Sequence, residues 1–307
     1  MSVCPYCRLS FDASGPTCPH SGAPAGLGEI RDDEGWVEQP PIQDMARIQF
    51  GRSQCQISGA TVPVAELSLA AGDRVYFNHH VLLWADLTTQ LTQRPVDKNR
   101  QDRRLAGMPV FMLEASGPGH IAFSDNEPGE IIAVPLEAGH RVHVSEHHFL
   151  MATTSITYDW FNPGIWWVLG TGSEKEYFHP RGRHMDKFTA EDQRGLLLLH
   201  GRGNIFIRDL HKGERIYVQP QAVLYKDRSV DMSIHMERPA SPRAHWQVIP
   251  LVRLDGPGRV AIQSQYEVEP VEGYGWNELG PDGSWRDWNP DLSRFRSDYR
   301  EREPLYP

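Results

Sequence analysis

Three of the four cysteines lie within the first 18 residues, and their spacing is that of a metal site. Cys4-Pro-Tyr-Cys7 has the form of a zinc knuckle. Cys18-Pro-His20-Ser21-Gly22 has the form of a second, with serine where a complete ribbon would carry cysteine. Zinc takes four tetrahedral ligands, so Cys4, Cys7 and Cys18 need one more, and His20 is the nearest candidate. A module this small cannot build its own hydrophobic core, so bound zinc would supply its folding energy. Thiols grouped this way point to a reducing compartment rather than a disulfide framework. The predicted chemistry is structural zinc binding in the service of docking, with no catalytic residue assigned.

The fourteen histidines offer a second metal hypothesis. His143, His147 and His148 surround Glu146, and His79-His80 precedes them at a matching place. Inward His and Glu residues of a double-stranded β-helix hold iron or manganese in the cupins, so a cupin-like metal-dependent enzyme or small-molecule-binding protein is one alternative. The His-x-His spacing followed by Glu is absent, however, and His147 and His148 fall near a turn where solvent is expected. No Gly-x-Ser-x-Gly elbow occurs, and Cys55 has no evident partner for nucleophilic chemistry. A third reading, zinc-assisted RNA binding, rests on Arg94, Lys98, Arg100, Arg103 and Arg104. That segment lacks interleaved aromatics for base stacking, and the formal net charge is −9, so a solvated loop is expected and nucleic acid is not the expected partner.

The elements that would carry these residues are announced by repetition. Leu69-Ala-Ala-Gly72-Asp-Arg74-Val-Tyr76-Phe77, Leu136-Glu-Ala-Gly139-His-Arg141-Val-His143-Val144 and Leu210-His-Lys-Gly213-Glu-Arg215-Ile-Tyr217-Val218 are one cassette used three times. A second cassette, Gly-x-Gly followed by an apolar run, recurs at Gly117, Gly201 and Gly256. Recurrence at such a period marks a supersecondary unit built several times over. Gly-x-Gly without a third glycine or a following helix reads as strand entry, not as a phosphate cradle. Within each cassette the glycine turns the chain and the next residues alternate. Val75 and Phe77, Val142 and Val144, and Ile216 and Val218 are predicted to face one core, with Tyr76, His143 and Tyr217 on the opposite face. The apolar runs at Val81, Phe149 and Val223 follow as a further strand of each unit.

These cassettes, above all Leu196-Leu-Leu-Leu-His200-Gly-Arg-Gly-Asn-Ile205-Phe-Ile-Arg-Asp-Leu210, resemble a known family. It groups bacterial proteins of unassigned activity with a fungal mitochondrial inner-membrane protein named for altered inheritance of mitochondria. The resemblance spans roughly residues 45 to 266. It implies an all-β fold similar to the tryptophan RNA-binding attenuation protein: a short double-stranded β-helix or β-sandwich duplicated within one chain. It also implies ring-like or trimeric assembly, and it supplies no catalytic residues.

The predicted organisation is a zinc-ribbon-like module over 1–27, a linker over 28–45, the repeated β domain over 46–266 and a Trp-rich C-terminal arm over 267–307. The arm carries Trp276, Trp285 and Trp288. Thr189-Ala-Glu-Asp192 could open a short helix. Asn162-Pro-Gly164 should form a tight turn flanked by Trp160, Phe161, Trp166 and Trp167, either core or an interaction patch. No apolar run reaches the roughly 18 to 20 residues of a membrane span, and the N-terminus lacks the features of a secretory signal. The expected protein is a cytoplasmic, non-enzymatic, homo-oligomeric β scaffold with an unknown protein partner and a zinc docking module.

Overall fold

The computed structural model describes residues 2–4, 6–7, 9–12, 17–24, 35–38, 42, 44–96, 111–169, 176–179, 184–237 and 249–266. Most of the basic 94–104 segment, much of the insertion between 170 and 183 and the whole Trp-rich arm lie outside these residues. The regular secondary structure among the described residues is β-strand, apart from two 3₁₀ turns at His79–Val81 and Pro220–Ala222.

Each cassette belongs to a unit of six strands. The first unit comprises Val64–Leu69, Arg74–Phe77, Leu82–Ala85, Gln90–Pro95, Phe111–Ser116 and Gly119–Phe123. Its counterparts are Gly129–Leu136, Arg141–Ser145, Phe149–Thr153, Ile156–Phe161, Met185–Ala190 and Gly195–Arg202, then Ile205–Leu210, Arg215–Val218, Val223–Asp227, Asp231–Glu237, Ile249–Asp255 and Gly258–Gln263. The pairing is the same in all three. The sixth strand lies between the first and the third, and the fifth lies between the second and the fourth. A register shift recurs at one place in every third strand, passing over Leu83, Leu150 and Leu224.

The Leu-x-x-Gly glycines make these units possible. Gly72, Gly139 and Gly213 sit at φ 87°, 80° and 85°, a region that a side chain makes costly. The glycine opening each sixth-strand entry in the first and third units has a different reason. A Cβ on Gly117 would lie 2.4 Å from the Ala70 carbonyl oxygen, and one on Gly256 would lie 2.4 Å from that of His211. Two chain segments pass there with no room for a methyl group.

Neighbouring units fuse their sheets. Arg74–Phe77 of the first unit pairs with Phe149–Thr153 of the second, giving a six-stranded sheet. Arg141–Ser145 of the second pairs with Val223–Asp227 of the third, giving a seven-stranded sheet that also holds Val37–Glu38. A five-stranded sheet, edged by the Ala46–Phe50 and Ser53–Ser58 hairpin, lies at one end, and the three-stranded sheet of Arg215–Val218, Ile249–Asp255 and Asp231–Glu237 lies at the other. Three apolar cores fill the spaces between these four layers.

Alternation explains why a shared sheet can serve two cores. Val75 and Phe77 enter the first core while Tyr76 enters the second, so the predicted division of faces is realised at the first joint. Val142 and Val144 enter the second core, and His143 instead packs its ring 4.6 Å from that of Phe161 on the far face. Thr189-Ala-Glu-Asp192 does not start a helix. Thr189 lies within the strand Met185–Ala190, paired with Arg141 on one side and Thr157 on the other, and these ladders satisfy the backbone groups that a helix would otherwise use.

Candidate metal centre

Two local features bring the N-terminal cysteines together. Ser2–Val3 pairs with Ser10–Phe11, and the Cys4 amide donates to the Leu9 carbonyl at 3.0 Å, closing the first knuckle. In the second, the Gly22 amide donates to the Cys18 carbonyl at 2.8 Å, and Gly22 takes φ 70°, which folds the turn back on Cys18. The sulfur atoms of Cys4, Cys7 and Cys18 all lie within 4.8 Å of one another, and all three residues are buried. Cys7 Sγ is 3.7 Å from Cys18 Sγ, and Cys4 Sγ is 3.6 Å from the Ser21 hydroxyl oxygen. Ser21 thus brings its oxygen to the group where a complete ribbon would bring a fourth sulfur. His20, the ligand expected from sequence, is exposed and outside the three-sulfur group.

Electrostatics around the sulfurs is uneven. Burial pushes the Cys7 thiol upward. At Cys18 burial also raises the value, but hydrogen bonds from the Ser21 hydroxyl and from the backbone at His20 and Ser21 outweigh it and bring the thiol down to about 7. A thiolate is the form that binds metal.

The cysteine segment is seated on the β domain. The Tyr6 hydroxyl donates to the Ala133 carbonyl at 3.0 Å, the Arg47 amide to the Ser21 carbonyl at 2.7 Å and the Gln49 amide to the Tyr6 carbonyl at 3.2 Å. Tyr6, Phe11 and Ala23 join the same apolar cluster as Ile48, Leu67 and Phe77. Beside Tyr6 a cleft of about 650 Å³ opens where the first two units meet, lined by Asp73, Arg74, Thr153, Glu191 and Arg194 among others. The docking contact of the Tyr6 hydroxyl was not legible in sequence, because its partner Ala133 is 127 residues away.

The histidines of the second hypothesis do not converge. Among the described residues the three cysteines form the only group of metal-ligating side chains close enough to share an ion. His79 stacks on Phe111, with ring centroids 5.2 Å apart. His143 is buried in the joint between the second and third units, and burial followed by the Lys226 charge drives it down to about 2, which keeps it neutral. His147 is exposed at a turn with φ 68°. His148, expected in solvent, is buried instead. Its Nδ1 donates to the His200 carbonyl at 2.8 Å, and burial holds it down at about 4. The turn ends at His147, and His148 turns inward just before the strand Phe149–Thr153. Arg94 pairs with Glu114 at 3.4 Å and lies over the Tyr76 ring at 4.1 Å. Trp160 and Phe161 are half-buried, with Trp160 edge-on to His184 at 4.2 Å. The Asn162 side chain accepts from the Gly164 amide at 2.8 Å, but the flanking strands do not form the expected hairpin: Ile156–Phe161 pairs with Met185–Ala190, and Trp167–Leu169 with Glu176–Phe178.

A family model described as Mitochondrial biogenesis AIM24 matches residues 55–265, the span of the three units. No curated protein matches the chain. Among solved structures, the crystal structure of a Streptococcus pyogenes protein is similar at 20% identity with a TM-score of 0.52, covering 70% of this chain and 94% of that one. That likeness shows the fold. No helix among the described residues is long and apolar enough to cross a membrane.

Proposed function

The chain belongs to the Mitochondrial biogenesis AIM24 family, and from that premise we propose a non-enzymatic, homo-oligomeric β scaffold whose N-terminal cysteine module binds zinc and docks a protein partner. The observation that carries the reading is the buried trio of Cys4, Cys7 and Cys18, held on the first unit by Tyr6. Three sulfur ligands within reach of one ion suit zinc, and a closed site without substrate access suits a structural role. The fourth ligand we assign is His20, exposed and two residues after Cys18. The rest of the reading follows from what the units spend their residues on. Their recurring positions are glycines at turns and apolar residues in shared cores, the composition of a platform. With cysteines kept reduced for metal, cytoplasm is the compartment we assign.

Native mass spectrometry and elemental analysis of the full chain test this together. The expected result is one zinc per chain in an oligomer, with zinc lost in the double variant Cys4→Ser, Cys7→Ser. Protein purified in zinc-containing medium that carries no stoichiometric metal overturns the zinc assignment, and a monomer at all concentrations overturns the oligomeric one.

A further inference from the structure

The joints between units have a fixed grammar. The second strand of one unit pairs antiparallel with the third strand of the next. In the first joint Phe77 faces Met151 and Tyr76 faces Ala152. In the second joint Val144 faces Tyr225 and His143 faces Lys226. Carried one step further, the same register would set Val218 of the third unit opposite Trp84 of the first, and Tyr217 opposite Ala85. Among the described residues that pairing is not made: Leu82–Ala85 and Arg215–Val218 are each the outermost strand of their sheets.

Burial follows the same division. Tyr76, Leu150, Met151, His143, Leu224 and Tyr225, which form the two internal joints, are all buried. Their counterparts at the two ends are Tyr217, Leu83 and Trp84, which are 53%, 55% and 40% exposed. These are large apolar side chains on open strand edges, the arrangement that templates pairing with another chain. A charged edge would oppose such pairing, yet Leu82-Leu-Trp-Ala85 carries no charge. The register shift at Leu83 is shared by Leu150 and Leu224 in the third strands that do pair.

We propose that a second copy of this chain makes the missing joint, head to tail, with Arg215–Val218 of one copy pairing antiparallel with Leu82–Ala85 of the next. The inference rests on the oligomeric reading above and says which edges build it. The occupant is a copy of the chain because every copy carries one edge of each kind, in the register its own internal joints already use. The two patches differ, so the interface is heterologous. It closes into a ring if the rotation per chain permits and otherwise grows as a filament. The joint would merge the three-stranded and five-stranded end sheets into one and bury Leu83 and Trp84 beside Ile216 and Val218, as Leu150 and Met151 are buried beside Val75 and Phe77.

The test uses two single lysine substitutions at exposed positions, Trp84→Lys and Tyr217→Lys, in the full chain, with thermal unfolding to confirm that each variant folds. Native mass spectrometry should find the unmodified chain as an oligomer and each variant alone as a monomer. An equimolar mixture of the two should give a heterodimer and nothing larger, because each variant retains the edge that the other lacks. Two folded variants that keep the original assembly, or a mixture that stays monomeric, overturn the head-to-tail joint while leaving an oligomeric scaffold standing. An unmodified chain that is monomeric at every concentration removes both.

Discussion

His143 and Lys226 are register partners across the antiparallel joint between the second and third units, and both side chains are buried there. The Lys226 ammonium donates to the Val230 carbonyl at 2.6 Å, so its charge is held by backbone oxygen within its own unit. His143 meets this charge from across the joint, with Arg141, Lys187 and Arg228 adding to it, and stays neutral. An imidazole so placed is a poor metal ligand. The joint explains why His143 is buried and why it stays neutral.

Acid should therefore destabilise the fold through its buried histidines. Both His143 and His148 are depressed in the folded state, to about 2 and about 4, against an ordinary value of 6.5. Their contribution is fully present above pH 6.5 and is lost as pH falls from there toward the folded values, because the unfolded chain takes up the protons first. His148 is faced by His200, Arg202 and Asp125. Urea midpoints measured from pH 7.5 to pH 5 should fall in the unmodified protein and fall less steeply in His143→Gln, by up to about one proton's worth of slope. An identical slope in the variant would contradict the assignment.

Alanine at two glycines should separate two costs. Gly139 has nothing within 4 Å of the space a Cβ would occupy, so Gly139→Ala meets only the strain of φ 80° and should cost about 1–2 kcal/mol. Gly117→Ala would press a methyl group to within 2.4–2.6 Å of backbone oxygens at Ala70 and Leu69, forcing two segments apart. Denaturant unfolding should rank Gly117→Ala as clearly the more damaging.

The seating of the cysteine module can be weakened without touching the cysteines. Tyr6→Phe keeps the ring in its apolar cluster and removes only the hydrogen bond to the Ala133 carbonyl, leaving that acceptor without the hydroxyl. A loss of roughly 1 kcal/mol is expected, with zinc content unchanged. Tyr6→Ala should leave the module far more open to proteolysis than the β domain.

For the fourth ligand of the proposed zinc site, sequence and geometry offer different residues. Ser21→Cys would place sulfur where the hydroxyl now lies 3.6 Å from Cys4 Sγ, and should tighten zinc binding in competition with a chelator. His20→Ala should weaken it by tenfold or more if His20 completes the set. If His20→Ala binds zinc as the unmodified chain does, His20 is not the fourth ligand.

The sequence by itself determined the repeated unit. Gly72, Gly139 and Gly213 recur because their turn needs positive φ, and the alternating residues after them follow from the pleat, so both are local requirements that local composition must record. The grouping of Cys4, Cys7 and Cys18 was legible for the same reason, since each knuckle closes within a few residues. Only the tertiary structure decided what lies between units. Whether Tyr76 is buried and Tyr217 exposed depends on whether another unit follows, which no pattern inside the cassette contains. The inward turn of His148, the strand at Thr189 and the seating of Tyr6 on Ala133 have the same origin. Each is set by a hydrogen bond to a segment distant in sequence; for the strand at Thr189, a shift of one residue in register would exchange its two faces.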